Sequence, residues 1–331
     1  MRAYVLEATN KIPVLQDRPL GIPRADEVLV RTTAVAIHPV DRETCAGGNA
    51  VMLPMSRPFV PGLDFAGTVS AVGSAVTDLP VGTSVYGYRG LGSMGAWAEE
   101  QVVPRAHLAR APEGVQPPTL ATLPLPALCA LQALDTYEIP EGSRVLVHGG
   151  AGAVGSVAVQ IFASRGLHVI ATAGGDDLEW VESLGAKQVL DYRTGLFGEV
   201  LSDIDMVFDT VGGKTLKRSF GVVSEGGVVI SLVAVPSPKA IRAAGMKPPL
   251  AVGFMLPALG WLDRRRASRV EARYAALAAV PDGRLLEEAT RIAEDGGLQT
   301  RIDRTFEWAE LPEALKHFRT GKQRGRLVIT N

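Results

Sequence analysis

The chain has 331 residues, of which 47% are apolar, and a formal net charge of −1. This length favours two domains over a single core, and the balanced charge gives no field that would attract nucleic acid. The two cysteines, Cys45 and Cys129, lie far apart without metal-ligand spacing. Together with an early charge at Glu7, which leaves no room for a signal-peptide apolar core, they predict a cytoplasmic protein with reduced thiols.

The first 120 or so residues are rich in short strand and turn signals. Glycine and proline separate apolar, β-branched runs, a pattern that predicts a barrel-like β domain. The predicted strand segments are Glu27–Ala36, Phe59–Gly73, Val81–Gly87 and Ala96–Val103.

From Leu120 onward, predicted strands and helices alternate. Such alternation implies right-handed crossovers and a parallel, doubly wound sheet. The predicted strands are Arg144–His148, His168–Ala171, Gln188–Leu190, Asp205–Phe208 and Gly227–Leu232. The predicted helices are Leu123–Tyr137, Val154–Ser164, Leu178–Leu184 and Lys214–Val223.

The segment Leu250–Leu262 is almost entirely apolar and precedes four arginines, Arg264, Arg265, Arg266 and Arg269. It is too short to span a bilayer, which needs about 20 residues, so no stable membrane insertion is predicted. A buried or lid helix followed by a solvated basic turn accounts for it, and contact with a membrane surface or another subunit stays open. The segments that follow are predicted as strand Ala272–Val280, helix Leu285–Glu294, strand Arg301–Phe306, helix Leu311–Phe318 and strand Arg326–Thr330.

A glycine-rich stretch lies between the strand ending at His148 and the following helix. Gly150, Gly152 and Gly155 fit the pattern G-x-G-x-x-G, which allows a sharp turn, close approach of a pyrophosphate and tight packing of the helix. The helix would begin near Ala153 and Val154, where unpaired N–H groups and the helix dipole favour phosphate. The stretch therefore predicts a dinucleotide site.

Several further motifs lie in a fixed order along nearly the whole chain. They are Ala36–Asp41, Pro61–Gly67, Leu123–Leu134, the glycine loop, Leu184–Ala186 with Asp191 and Tyr192, Asp209–Gly213, and Gly321–Ile329. Their order resembles the medium-chain dehydrogenase/reductase superfamily, in its zinc-independent quinone oxidoreductase-like branch. The resemblance implies an α/β protein in which a GroES-like β-rich catalytic domain comprises residues 1–121 and 281–331. A Rossmann cofactor domain with a doubly wound parallel sheet would be inserted at 122–280.

Zinc is not expected. Zinc-dependent members of the superfamily place Cys where His38 stands and His where Leu63 stands. Catalytic zinc requires three protein ligands, and these positions cannot supply them.

The resemblance places His38 beside the nicotinamide and the substrate. His38 could donate to the substrate oxygen or deliver a proton, or it could be a structural histidine bonded to the backbone before Pro39. Asp41 could orient His38 or cap the helix expected to begin there. Tyr86 could donate a phenol hydrogen bond or be a packed aromatic residue, and Asp64 is expected to bond local backbone.

The end of the second Rossmann strand governs the choice of cofactor. Ala173 and Gly174 stand where an NAD-specific site normally has an acidic residue, which leaves room for a 2′-phosphate. The following Asp176 and Asp177 would repel a phosphate if they pointed inwards, and Tyr192 and a basic group near Lys322 or Arg326 could compensate. NADP(H) is therefore favoured over NAD(H). The remaining predicted cofactor contacts are Cys129, Tyr192, Val211 and Leu232.

These features predict a zinc-independent NADP(H)-dependent reductase that transfers hydride to a quinone, an α,β-unsaturated carbonyl or a related aldehyde or ketone. A zinc-independent NAD(P)-dependent alcohol dehydrogenase, with 243–269 as a different substrate lid, is the alternative within enzymes. A nucleotide-sensing or RNA-associated interaction protein is the alternative of another class. The resemblance also implies a homodimer, with Ala272–Val280 as the candidate edge.

Overall fold

The computed structural model describes residues 1–48, 55–246, 255–256, 258, 260–318 and 323–331. The chain forms two compact units. The first comprises Met1–Leu128, Ala244–Pro248 and Val280–Asn331, and the second comprises Cys129–Ala243 and Pro249–Ala279. The longest stretches of the two units meet at 128/129 and 279/280, and the domain bounds expected from the sequence, 121/122 and 280/281, stay a prediction.

Fifteen strands and eleven helices are found in the described part of the chain. The strands are β1 (Arg2–Val5), β2 (Val14–Asp17), β3 (Glu27–Ile37), β4 (Asp64–Val72), β5 (Ser84–Tyr88), β6 (Glu100–Pro104), β7 (Leu108–Arg110), β8 (Arg144–His148), β9 (His168–Ala173), β10 (Gln188–Asp191), β11 (Ile204–Asp209), β12 (Val223–Ser231), β13 (Arg273–Ala276), β14 (Ile302–Glu307) and β15 (Arg326–Thr330). The helices are α1 (Pro39–Ala46), α2 (Pro117–Leu120), α3 (Pro124–Tyr137), α4 (Ala153–Ser164), α5 (Leu178–Ser183), α6 (Phe197–Val200), α7 (Gly213–Ser219), α8 (Pro238–Ala243), α9 (Trp261–Arg269), α10 (Gly283–Gly296) and α11 (Leu311–Phe318).

The first unit is built on a seven-stranded sheet in which β3 is central. The strand order is β14-β15-β3-β4-β5-β7, and β6 also pairs with β3. β3 runs antiparallel to both β15 and β4, with Ile37 opposite Leu327 and Val35 opposite Phe65. This register brings the end of β3 beside the beginnings of β4 and β15. The underlying core includes Trp97, which is completely buried.

The second unit is a six-stranded parallel sheet in the order β10-β9-β8-β11-β12-β13. The chain therefore winds outwards from β8 in one direction and from β11 in the other, which confirms the predicted Rossmann sheet. In such sheets ligands bind where the strand order reverses, here at the carboxyl ends of β8 and β11. β8 is buried through Val145, Leu146 and Val147, as a strand covered on both faces should be.

Several predicted segments have different bounds. Within the predicted β segment Phe59–Gly73, β4 begins at Asp64, after Gly62 turns the chain at φ +95°. The predicted helix Lys214–Val223 ends at Ser219, and Val223 instead begins β12. The predicted basic turn after Leu262 is helical and belongs to α9. Most of the apolar segment before it, residues 250–254, 257 and 259, lies outside the described residues.

Across the residues that the structure describes, no helix combines the length and apolarity needed to cross a membrane.

Candidate functional site

The glycine-rich turn lies between β8 and α4, as predicted. Gly149 turns the chain with φ +72°, a conformation that favours glycine. A Cβ at Gly155 would lie 2.1 Å from the Gly149 carbonyl oxygen, so a side chain there would push α4 off the turn. The third glycine of the motif thus packs against the turn itself. Gly150 follows Gly149 in the turn, and Gly152 is the last residue before α4.

The N-terminus of α4 is open to an anion. Gly152 adopts an extended conformation (φ −73°, ψ 165°), and none of the described side chains caps the helix. The N–H groups of Ala153 and Val154 lack intrahelical acceptors, as in the first turn of any α-helix. These donors and the helix dipole give the site the chemistry of a pyrophosphate cradle.

A second part of the site lies at the end of β9. Ala173 is buried there, and Gly174 follows it. Because β10 is the neighbour of β9, the residues that follow β10 reach the same edge of the sheet. A Cβ at Gly174 would lie 3.2 Å from the Tyr192 hydroxyl oxygen and 3.6 Å from Arg193 Nη2. The Tyr192 phenol and the Arg193 guanidinium therefore lie close beside Gly174, where a larger side chain would crowd them.

Arg193 is a basic group that the sequence interpretation missed. Its Nε lies 3.4 Å from Asp191 Oδ1 and its Nη2 lies 3.7 Å from Asp176 Oδ1, while its side chain stays 48% exposed. Asp176 thus faces a cation at this edge. The signal that could have located Arg193 is its place directly after Tyr192, a predicted cofactor contact that follows the predicted strand Gln188–Leu190.

The loops at the switch point are ordered by the buried Asp209. The Asp209 side chain accepts two hydrogen bonds, one at Oδ1 from the Val211 N–H at 3.1 Å and one at Oδ2 from the Ser231 hydroxyl at 2.7 Å. Its main-chain carbonyl accepts a third from the Leu232 N–H at 2.9 Å. Val211 is exposed and Leu232 is half-buried, at the carboxyl ends of β11 and β12. Cys129 is buried in α3.

The first unit carries a buried polar cluster around His38. His38 follows β3, Asp64 begins β4 and Arg326 begins β15, and the antiparallel register of these three strands brings them together. His38 Nε2 lies 2.9 Å from Asp64 Oδ2, and His38 Nδ1 lies 2.8 Å from Arg326 Nη1. The His38 side chain is 1% exposed and Arg326 is 6% exposed.

These contacts define the protonation of His38. A guanidinium N–H can only donate, so Nδ1 must accept from Arg326, and the ring proton of the neutral form lies on Nε2, facing Asp64. Burial lowers the pKa of His38, and the positive charge of Arg326 lowers it further, against the opposing effect of Asp64. Neither ring nitrogen makes the bond to the backbone before Pro39 that the structural alternative expected, because Nδ1 faces Arg326 and Nε2 faces Asp64.

Arg326 occupies a different position from the one expected for a phosphate-binding group. It is buried against His38 in the first unit, whereas the sequence interpretation assigned it to the 2′-phosphate. The other basic residue proposed for that role, Lys322, lies outside the described residues.

Asp41 caps α1, but from the first turn of the helix and not from the N-cap position. α1 is preceded by His38 and begins at Pro39, so Asp41 is the third residue of the helix, and its Oδ2 accepts from the His38 N–H at 2.8 Å as one half of a capping box. Burial raises the pKa of Asp41 to about 8, and the charge of Asp64 adds to this rise. Asp64 bonds a distant backbone group rather than a local one, since the Leu125 N–H donates to both of its oxygens at 3.1 and 3.2 Å.

Tyr86 is a packed residue. Its hydroxyl donates to the Leu286 carbonyl at 2.7 Å and contacts the Thr290 hydroxyl at 3.1 Å, and its ring is completely buried. Burial raises the pKa of Tyr86. The expected role as a donor to substrate does not fit this position, because the hydroxyl faces α10.

The described part of the chain contains no group of side chains suited to bind a metal ion. Within it no three side chains of His, Cys, Asp or Glu are grouped so as to hold a metal ion. Leu63, which stands where zinc-dependent members have a ligand, is completely buried and offers no lone pair.

Both units match known families. Residues 24–113 match the alcohol dehydrogenase GroES-like domain, and residues 184–329 match the zinc-binding dehydrogenase family. An alcohol dehydrogenase superfamily protein from Novosphingobium aromaticivorans superposes with a TM-score of 0.84 at 31% identity, covering 100% of this chain and 99% of that one. The chain therefore belongs to the medium-chain dehydrogenase/reductase superfamily, as its motifs predicted.

Within the superfamily, the chain is similar to quinone and alkenal reductases. It is 34% identical over 257 residues to the chloroplastic NADPH-dependent alkenal/one oxidoreductase of Arabidopsis thaliana, covering 73% of this chain and 65% of that protein. It is 32% identical over 235 residues to the chloroplastic quinone-oxidoreductase homolog of Spinacia oleracea, covering 68% and 71%. The quinone oxidoreductase of Coxiella burnetii superposes with a TM-score of 0.80 at 27% identity, covering 100% of this chain and 98% of that one.

Proposed function

We propose that this chain is a zinc-independent, NADPH-dependent reductase of small quinones or α,β-unsaturated carbonyls. The observation that carries the cofactor assignment is that the Tyr192 phenol and the Arg193 guanidinium lie beside Gly174, a position that has no acidic side chain. An NAD-specific site would have an acidic side chain at the end of this strand to hold the ribose hydroxyls. A guanidinium and a phenol are suited instead to a 2′-phosphate.

The glycine turn fits the rest of the dinucleotide. The open N-terminus of α4 would bind the pyrophosphate, and the glycines remove the side chains that would block it. Val211 and Leu232, ordered by Asp209 at the switch point, are proposed contacts further along the cofactor. The nicotinamide supplies the hydride when the cofactor is bound.

The absence of a zinc requirement is proposed from the donor set. Zinc chemistry would need three ligands of suitable geometry. Leu63 cannot coordinate, and His38 Nδ1 already accepts from the Arg326 guanidinium while Nε2 faces Asp64 at 2.9 Å. We expect turnover to survive prolonged dialysis against a chelator. Loss of turnover with chelator and its recovery with added zinc would overturn this part of the proposal.

His38 is proposed as a positioning residue rather than a proton donor. Asp64 also accepts from the beginning of α3, so the cluster joins β3, β4, β15 and α3 within the first unit. Replacing His38→Gln should lower thermal stability while leaving the shape of the pH–rate profile unchanged, and Asp64→Asn should act in the same way. A proton-donor role would instead remove one limb of the profile at unchanged stability.

The substrate class is taken from the relatives and is tested directly. Purified protein is mixed with NADPH or NADH and a panel of quinones and enones, and oxidation of the reduced nucleotide is followed by absorbance. We expect turnover with NADPH in excess of that with NADH. Tight nucleotide binding with no turnover on any acceptor would refute the reductase assignment. Alcohol-dependent reduction of NADP that survives chelator would assign the chain to alcohol oxidation instead.

A homodimer in the cytoplasm completes the proposal. β13 lies at the edge of the six-stranded sheet and would pair there with its symmetry mate. Sedimentation velocity should give the mass of a dimer, and a monomer at micromolar concentration would contradict this. Fractionation of the source cells tests the location.

A further inference from the structure

A buried histidine lies directly beneath the glycine turn and has no place in the proposed chemistry. His148 is the last residue of β8, immediately before Gly149, and is 0% exposed. Its ring packs on Phe197, with centroids 4.6 Å apart. Its two nitrogens contact hydroxyl groups on two other elements: Nδ1 lies 3.2 Å from Thr172 Oγ1 on β9, and Nε2 lies 3.0 Å from Ser219 Oγ on α7.

The directions of these hydrogen bonds follow from the proton of Ser219. The Ser219 hydroxyl donates to the Thr215 carbonyl at 3.0 Å, so it can only accept from His148. Nε2 therefore carries the ring proton, and Nδ1 accepts the proton of the Thr172 hydroxyl. Thr172 Oγ1 is then left to accept from the N–H of Gly149, which lies 3.2 Å away. One neutral tautomer satisfies every group in this chain of contacts.

The chain of hydrogen bonds ends on the cofactor turn. Besides the bond from Gly149 to the Thr172 side chain, the Gly150 N–H donates to the Thr172 carbonyl at 2.9 Å. Thr172 thus holds two successive amides of the turn, and His148 orients the Thr172 hydroxyl. Burial lowers the pKa of His148 to about 4, although Asp209 favours the cation, so the ring is neutral near pH 7.

We propose that His148 is a positioning residue for the dinucleotide pyrophosphate. Through its Nδ1 acceptor it turns the Thr172 hydroxyl so that the oxygen faces Gly149, which holds the glycine turn in its binding conformation before the cofactor arrives. This role rests on the proposed function, because it acts on the turn assigned to NADPH.

Two substitutions of His148 separate this role from simple packing. In His148→Asn the side-chain oxygen can occupy the place of Nδ1 and accept from Thr172, although the residue is smaller. In His148→Gln the amide nitrogen can occupy the place of Nε2 and donate to Ser219, but the acceptor for Thr172 is lost. If His148 only filled space, the smaller Asn would be the worse substitute.

The experiment measures NADPH affinity by titration and the hydrogen exchange of the peptide containing Gly149 and Gly150. We expect His148→Gln to weaken NADPH binding about five- to tenfold and to speed exchange of the turn, while His148→Asn stays within about twofold of the natural protein. Thr172→Val should weaken NADPH binding as much as His148→Gln does. The double variant should bind no more weakly than either single variant, since both break the same chain of hydrogen bonds. Thr172→Ser keeps the hydroxyl and should bind NADPH normally. The Thr172 variants decide the matter if a His148 variant fails to fold.

The outcomes distinguish the two proposals. Suppose first that the natural protein binds NADPH. The positioning role is then refuted if His148→Gln binds NADPH equally well with unchanged hydrogen exchange, or if His148→Asn loses as much affinity as His148→Gln. In either case the cofactor assignment stands. If the natural protein binds no dinucleotide, the proposed function fails, and the positioning role fails with it.

Discussion

Replacement of Arg193 by Gln is the most direct test of the cofactor assignment. The substitution removes the cation beside Gly174 and leaves a shorter, uncharged polar side chain. Arg193 stays 48% exposed and already contacts Asp191 and Asp176, so water and two carboxylates weaken its attraction for a phosphate. We therefore expect NADPH to bind about five- to tenfold more weakly, rather than the hundredfold of a fully buried contact. NADH lacks the 2′-phosphate, and its affinity should change by less than about twofold.

The opposite change at Asp176 provides the matched control. Its carboxylate lies 3.7 Å from Arg193 Nη2 and is largely exposed, so Asp176→Asn should release the guanidinium and remove a like charge near the phosphate. NADPH should then bind about two- to threefold more tightly, again with no change for NADH. Both affinities are measured by quenching of protein fluorescence at two salt concentrations, and the differences should shrink at high salt. Equal loss of NADPH and NADH binding in Arg193→Gln would refute the reasoning, since it would show a structural effect on the turn and not recognition of the phosphate.

Three further predictions follow from burial and packing. The folded-state pKa of Asp41, about 8, exceeds its ordinary value of 3.8, so the folded protein holds a proton that the unfolded chain releases. The free energy of unfolding, measured by denaturant titration, should therefore fall by about 2 kcal/mol between about pH 6.5 and 8. Asp41→Asn should abolish this fall. If the free energy of unfolding of Asp41→Asn fell with pH as steeply as that of the natural protein, Asp41 would be excluded as the source. Gly155→Ala should weaken NADPH binding at least about tenfold, because its Cβ would meet the Gly149 carbonyl, whereas Gly296→Ala, whose Cβ meets open space, should bind normally. Tyr86→Phe should lower the free energy of unfolding by about 1 kcal/mol without changing turnover. If this variant instead lost turnover at unchanged stability, Tyr86 would be a hydrogen-bond donor to the substrate.

Local patterns were sufficient for the order of elements and the glycine turn. A buried β-branched run, three spaced glycines and an apolar helix are features of one continuous segment, and they predicted β8, the turn and α4 within one residue. Alternating strands and helices likewise predicted the parallel sheet. These predictions succeeded because backbone preferences and the periodicity of burial act over a few residues.

The tertiary structure decided which side chains meet. His38 and Arg326 are separated by 288 positions, and the pairing of β15 with β3 brings them within 2.8 Å. Arg193 reaches Gly174 because β10 is the neighbour of β9. Burial of Tyr86 against α10 likewise depends on a partner 200 residues away. Such contacts are set by strand order, register and exclusion of water in the assembled sheets. The sequence alone therefore determined the class of fold and the cofactor turn, and the folded chain decided the chemical state of His38 and the basic group at the proposed phosphate site.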